Sequence, residues 1–159
     1  MLFTGIYELT VDAKNRLSIP AAVRAGVDPR RHGKDFYLVP GDRQGTLCLY
    51  PSFYFEEYVE RRYAALKRSE RKRDFEAIFY SMATLLEVDG QGRVVLPQRW
   101  LSFVGFGREV TLTGARDHLS VWNRADYEVF MKSKWDEYPR LLDEAEQDTK
   151  AEKVDGDQG

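Results

Sequence analysis

Residues 12–20 read D-A-K-N-R-L-S-I-P, and residues 89–97 read D-G-Q-G-R-V-V-L-P. Asp, Arg and Pro coincide at an offset of 77, and Leu17/Val94 and Ile19/Leu96 are equivalent apolar positions. Further along, L-C-L-Y at 47–50 matches L-S-V-W at 119–122, at an offset of 72. The five-residue surplus of the first copy falls in Asp28-Pro29-Arg30-Arg31-His32-Gly33, which reads as a loop. Loops absorb changes of length at little cost. Two matched blocks in the same order, each followed by a helical pattern, make this chain an internal repeat.

Each copy reads alike. A strand (Ile6–Val11; Thr84–Val88) enters a tight turn, where Asn15 and Gly92 occupy the position that must tolerate a left-handed backbone. The next strand alternates, with Leu17 and Ile19 on one face and Arg16 and Ser18 on the other. Pro20 and Pro97 stand at the starts of short helices, Ala21–Ala25 and Gln98–Val104, which end at Gly26 and Gly105. Two further strands complete each unit: Phe36–Val39 with Thr46–Tyr50, and Glu109–Thr113 with His118–Trp122. The expected organisation is a first repeat over 6–53, a helical connector over 54–82, a second repeat over 83–126 and a C-terminal helix over 127–142. In the connector, Phe55, Tyr58, Val59, Arg62 and Leu66, then Phe75, Ile78, Phe79 and Met82, recur at helical spacing. Asn123 reads as the cap of the last helix, with Tyr127, Phe130, Met131 and Trp135 inward and Pro139 at its end. A four-strand unit of this size cannot close its own core. The expectation is therefore a mainly β chain with flanking helices (α+β), whose two copies interleave into one pseudo-twofold barrel.

Net charge is −2, but residues 143–159 carry seven acids against two lysines, and the remainder is +3. That acidic tail has Val154 as its one large apolar residue and reads as disordered. No apolar run approaches the ~20 residues that span a bilayer, and the opening residues lack the pattern of a secretion signal. One cysteine, Cys48, fits a reducing cytoplasm. It lies in a strand without a nearby base and reads as inert, and His32 and His118 have no partners at metal-ligand spacing. No metal, cofactor, small-molecule substrate or membrane partner is expected, and no catalytic residue is assigned.

The turn is the candidate functional site. Alternation that buries Leu17 and Ile19 leaves Arg16 and Ser18 facing solvent, and Lys14 on the turn has no core to enter. Arginine can pair bidentately with guanine O6 and N7 in the major groove of double-stranded DNA, and lysine suits a phosphate. Asp12 can accept backbone N–H bonds and brace Arg16, and Asp89 does the same for Arg93. The competing reading makes each Asp–Arg pair a structural ion pair. Arg93 stands between the two, as a secondary DNA contact or as a partner of Asp89. The candidate DNA-binding residues are thus Lys14, Asn15, Arg16, Ser18 and Arg93, with Asp12 and Asp89 as turn braces. The mixed-charge run from Arg61 to Arg73 reads as a solvated helix face.

These residues resemble the MraZ family of bacterial transcription regulators. The resemblance rests on F-T-G-I-Y-E-L-T-V-D-A-K-N-R-L-S-I-P-A, L-Y-P, F-Y-S-M-A-T-L-L-E-V-D-G-Q-G-R-V-V-L-P and V-W-N-R-A-D-Y, and covers roughly residues 1–135. One departure is Asn15, where the family's turn reads D-x-K-G-R; asparagine is the next best residue for that conformation. The resemblance implies two swapped-hairpin units of the SpoVT-AbrB type and a ring-like homo-oligomer. It implies binding, through the D-x-x-x-R segment, to short direct repeats upstream of the protein's own operon in the division and cell-wall gene cluster. The expected place is the cytoplasm, on the nucleoid. Two alternatives come from other classes. An antitoxin of the same fold would neutralise a partner toxin, although such chains carry one copy and a disordered tail. A hydrolase built on Asp12 and Asp89 is disfavoured, because an Arg so near each carboxylate holds it ionised.

Overall fold

Leu17 and Val94 lie opposite each other in a short antiparallel ribbon, and both are buried. The computed structural model describes residues 1–156. The first copy supplies β1 (Ile6–Thr10), β2 (Arg16–Ser18), α1 (Ala21–Ala25), α2 (Pro29–His32), β3 (Phe36–Pro40) and β4 (Leu47–Pro51). The connector holds α3 (Ser52–Tyr54), a π-helical turn (Phe55–Val59), α4 (Glu60–Ala64) and α5 (Glu70–Met82). The second copy supplies β5 (Thr84–Leu86), β6 (Arg93–Val95), α6 (Gln98–Val104), β7 (Glu109–Gly114) and β8 (Leu119–Asn123), followed by α7 (Arg124–Lys134) and α8 (Tyr138–Gly156).

The copies interleave. Six antiparallel strands run in the order β1-β7-β8-β4-β3-β5, so the first strand of each copy pairs with the third strand of the other. The central strands β4 and β8 meet at Leu47↔Val121 and Leu49↔Leu119. The ribbon of β2 and β6 forms a separate layer, with Arg16 opposite Val95 and Ser18 opposite Arg93. Leu17, Ile19, Val94 and Leu96 from the ribbon side share one core with Leu38, Leu49, Leu112 and Val121 of the sheet, and Val23 and Trp100 of α1 and α6 join them. Swapping gives each copy the strand partner it cannot provide for itself. The expected barrel does not close. β1 and β5 are the two edges of an open sheet, and the three-pair ribbon caps its core as a second layer instead of bridging those edges.

The other face of β3 and β4 buries Val39, Cys48 and Tyr50 against Phe55, Val59 and Phe79 of the connector. The wider π-helical turn brings both Phe55 and Val59 inward. Ser69 caps α5 by accepting the Lys72 amide at 3.0 Å. Lys72 Nζ donates to the carbonyls of Ala64 and Leu66 at the end of α4, so that cation closes a helix terminus. Ile78, one of the residues at helical spacing, is 59% exposed. The stretch read as a loop contains α2, because Asp28 accepts the Arg30 amide and Pro29 starts the turn. The Asn123 side chain accepts the Gly107 amide and donates to the Gly105 carbonyl, tying the end of β8 to the turn after α6.

Contacts divide the chain into Met1–Arg124, described above, and a second unit from Ala125 onward. In this second unit Trp135 is 65% exposed and stacks on Tyr138, against the expected inward position. Pro139 lies in the first turn of α8, where its missing N–H costs nothing, and so begins a helix as well as following one. Residues 143–156, expected without fixed structure, are helical. Glu, Ala, Gln and Lys favour helix without burial, and Arg140 pairs with Glu144 one turn on. The remainder of that tail, 157–159, lies outside the described residues. No helix of the described chain is long and apolar enough to cross a membrane.

Candidate nucleic-acid interface

The first turn is built around one carboxylate. Asp12 Oδ1 accepts the amides of Lys14 and Arg16, each at 2.9 Å, and Oδ2 accepts Arg16 Nε at 2.6 Å. The Asp12 carbonyl accepts the Asn15 amide, and the Asp12 amide donates to the Arg16 carbonyl, both at 3.0 Å. Asn15 takes φ +60°, the left-handed conformation that reverses the chain. The Arg16 amide, with the Arg16 guanidinium and the Lys14 amide, holds the Asp12 carboxyl well below the usual range, at about 2. Lys14 and Ser18 are exposed, and the Arg16 side chain is 31% exposed. Asn15 is half-buried, its amide donating to Gln98 Oε1 at 3.0 Å.

The second turn repeats this network. Asp89 Oδ1 accepts the Gln91 and Arg93 amides, and Oδ2 accepts Arg93 Nε, all at 2.9 Å. Its carboxyl is lowered for the same reason, the Arg93 amide first. Gly92 takes φ +76°. Two further bonds obey the same symmetry: the Ile19 amide donates to the Gly92 carbonyl, and the Leu96 amide to the Asn15 carbonyl. Each turn is therefore clamped by the other copy.

The antiparallel register puts the two turns at opposite ends of one ribbon. Arg16, Ser18, Arg93 and Val95 share the face turned away from Leu17 and Val94. Among the described residues, Nη1 and Nη2 of Arg16 and Arg93 have no hydrogen-bond partner; only Nε is used. The arrangement is a stiff ribbon that presents two guanidinium edges whose orientation the aspartates fix. Asp12 and Asp89 are each committed to their own turn, so they do not form a carboxylate dyad. Among the described residues, no three His, Cys, Asp or Glu side chains gather to hold a metal ion. Burial pushes the Cys48 thiol up to about 12, which leaves it un-ionised at neutral pH.

Two neighbours of the turns escaped the sequence reading. Gln98, on α6, orients Asn15. Arg108, just before β7, donates to the carbonyls of Asp12 and Val11 and anchors the first turn to the sheet. No spacing rule links Arg108 to Asp12, 96 residues away; only the swapped pairing of β1 with β7 joins them.

Comparisons with known proteins place the chain among its relatives. The family model described as MraZ protein, antitoxin-like, matches residues 79–155, the stretch that holds the second turn. A protein of Herpetosiphon aurantiacus named transcriptional regulator MraZ is 31% identical over 142 residues, spanning 89% of this chain and 95% of that relative. The chain belongs to the MraZ family. A Mycoplasmopsis pulmonis protein of the same name is 33% identical, spanning 86% of this chain and 89% of its own length. One of Mycoplasmoides gallisepticum is 24% identical across 92% of this chain and 99% of that relative. MraZ-family similarity thus covers most of the chain.

Proposed function

We propose that this protein is a sequence-specific, DNA-binding transcription regulator, acting as a repressor on short direct repeats in its own promoter region. The observation that carries the reading is the pair of free guanidinium edges of Arg16 and Arg93 on the exposed face of the ribbon. The curated relatives are named transcriptional regulators, which supports it.

Arg16 reads guanine in the major groove through Nη1 and Nη2, Lys14 takes a phosphate, and Ser18 and Asn15 line the contact. Asp12 keeps Arg16 in one rotamer, so less entropy is lost on binding. One good base contact contributes only ~1–3 kcal/mol, so affinity requires several subunits on successive boxes. Boxes spaced about 10 base pairs apart keep the contacts on one side of the duplex. We assign that multivalency to a ring-like homo-oligomer, which would occlude the promoter sterically. An exposed apolar groove of about 710 Å³ between α5 and α6 supports self-association; it includes Ile78, Met82, Trp100 and Phe103, and Phe103 is 75% exposed. The target cluster, that of division and cell-wall genes, and a place on the nucleoid in the cytoplasm follow from the family resemblance.

The test is a mobility shift with the protein's own upstream DNA against a shuffled duplex across a salt series. Preferential retardation of the upstream fragment is expected, and equal affinity for both would refute sequence-specific regulation. The antitoxin-like description of the family favours a second reading, neutralisation of a small toxin. A stoichiometric partner protein that co-purifies and blocks DNA binding would establish it.

A further inference from the structure

The two turns share a backbone but not a charge: Lys14 stands in the first where Gln91 stands in the second. A cation from elsewhere fills that deficit. Arg24 lies in α1, four residues after Pro20; its repeat counterpart, four residues after Pro97, is Leu101. The swap sets each of them beside the other copy's turn. Leu101 lines a small cleft with Asn15, whereas Arg24 lies directly on Gly92. A Cβ at Gly92 would come within 2.5 Å of Arg24 Nε and 2.6 Å of Cζ. Glycine at 92, where the first turn has asparagine, thus makes room for a guanidinium.

Arg24 Nε donates to the Ile19 carbonyl at 3.1 Å, which fixes the side chain across the turn. The residue is exposed, and among the described residues its terminal nitrogens have no hydrogen bond and it enters no ion pair. Asp89, the acid among the residues that line the same cleft, is paired with Arg93. That cleft, about 440 Å³, also holds Lys34 over a floor of Val27, Phe36 and Val88. Beside the first turn the equivalent cleft is about 200 Å³, and its cation, Arg108, is committed to backbone carbonyls. The flank of the second turn is therefore wider and carries uncommitted positive charge.

We propose that Arg24 is a DNA-phosphate ligand of the second turn, replacing in space the lysine that position 91 lacks; this rests on the reading of the turns as the DNA-contacting surface. Each turn then offers one guanidinium to base edges (Arg16 or Arg93) and one cation to the backbone (Lys14 or Arg24). With Nε held by Ile19, Nη1 and Nη2 form the two-pronged donor that suits a phosphodiester.

The experiment is fluorescence anisotropy of the full-length protein across a salt series, on the upstream fragment and on a shuffled duplex. Arg24→Gln keeps a donor for Ile19 and removes the charge. It is expected to weaken both duplexes alike, by about fivefold for each subunit engaged near 0.15 M salt, and to lower the slope of log affinity against log salt by about one for each subunit engaged. Adding Gln91→Lys to Arg24→Gln should restore affinity and slope. A wild-type slope in Arg24→Gln would overturn the assignment. So would a loss that Gln91→Lys does not repair, or one seen only in Arg24→Ala with a lowered unfolding midpoint, which would make the residue a packing element. Wild-type protein with no salt-dependent affinity for either duplex would instead sink the underlying reading of the turns, and it is titrated first.

Discussion

The first and second turns share their main-chain hydrogen bonds and the Asp–Arg clamp, and differ at the three residues between Asp and Arg: Ala13-Lys14-Asn15 in one, Gly90-Gln91-Gly92 in the other. What is common is what the swap needs. Each turn must reverse tightly and hand its neighbour a carbonyl, from Asn15 to Leu96 and from Gly92 to Ile19. What differs is charge and steric room. A duplicated scaffold has kept its skeleton twice while the side chains displayed on it have diverged. In both turns the clamp uses Nε and leaves Nη1 and Nη2 unbonded among the described residues.

The comparison breaks most severely at the axis. Leu17→Ala removes a side chain with no exposure at the point where the ribbons meet, and should cost about 2–5 kcal/mol in denaturant unfolding. Val94→Ala, opposite it, should cost less because fewer methyl groups are lost; the reverse order would show that the ribbon is not packed symmetrically.

The turns themselves are distinguished next. Gly92→Ala meets both a left-handed backbone and Arg24, and a destabilisation of about 1–3 kcal/mol is expected. Asn15→Ala should cost about 1 kcal/mol, since asparagine already accepts much of that strain. Equal losses would remove the steric distinction between positions 15 and 92.

Gln91→Lys should tighten binding to any duplex more in Arg24→Gln than in the wild type, where Arg24 is proposed to take the phosphate already, with no change in sequence preference in either. Binding isotherms on shuffled DNA check this, and an equal gain in both backgrounds would show that the two cations do not share a phosphate.

The smallest effect is in pH. Both clamp carboxyls are lowered, so their contribution is complete above the ordinary aspartate range near 4. It is lost as pH falls through the folded value, about 2 for Asp12. Carboxyl NMR titration should find both midpoints below the ordinary aspartate value. A midpoint near 4 would mean that the clamp is open in solution.

Local chemistry made the repeat, the turns and both short helices legible: Asp, Arg and Pro at fixed spacing, alternation through Leu17 and Ile19, and glycine after each helix. The swap was legible as a need, because one unit cannot cover its own core. How the sheet ends was not. An open edge and a closed barrel bury the same alternating residues, and only the hydrogen bonding of β1 and β5 separates them. Arg24, Gln98 and Arg108 were invisible as parts of the turns because each reaches its turn through the swap. Ile78 shares the helical spacing of its buried neighbour Phe79 yet lines a groove, a difference that spacing alone does not show. The helix over 143–156 was missed because hydrophobic content says nothing of helices supported by side-chain propensity and charge pairs.

If Arg16 reads bases, its removal should cost sequence preference and leave the protein folded. The direct measurement is the ratio of affinities for the upstream fragment and a shuffled duplex, in wild type, Arg16→Ala and Arg93→Ala. The ratio should fall by about 10- to 100-fold in Arg16→Ala and less in Arg93→Ala, with both proteins unfolding close to the wild-type temperature. A folded Arg16→Ala protein that still prefers its upstream DNA to the wild-type degree would contradict the account.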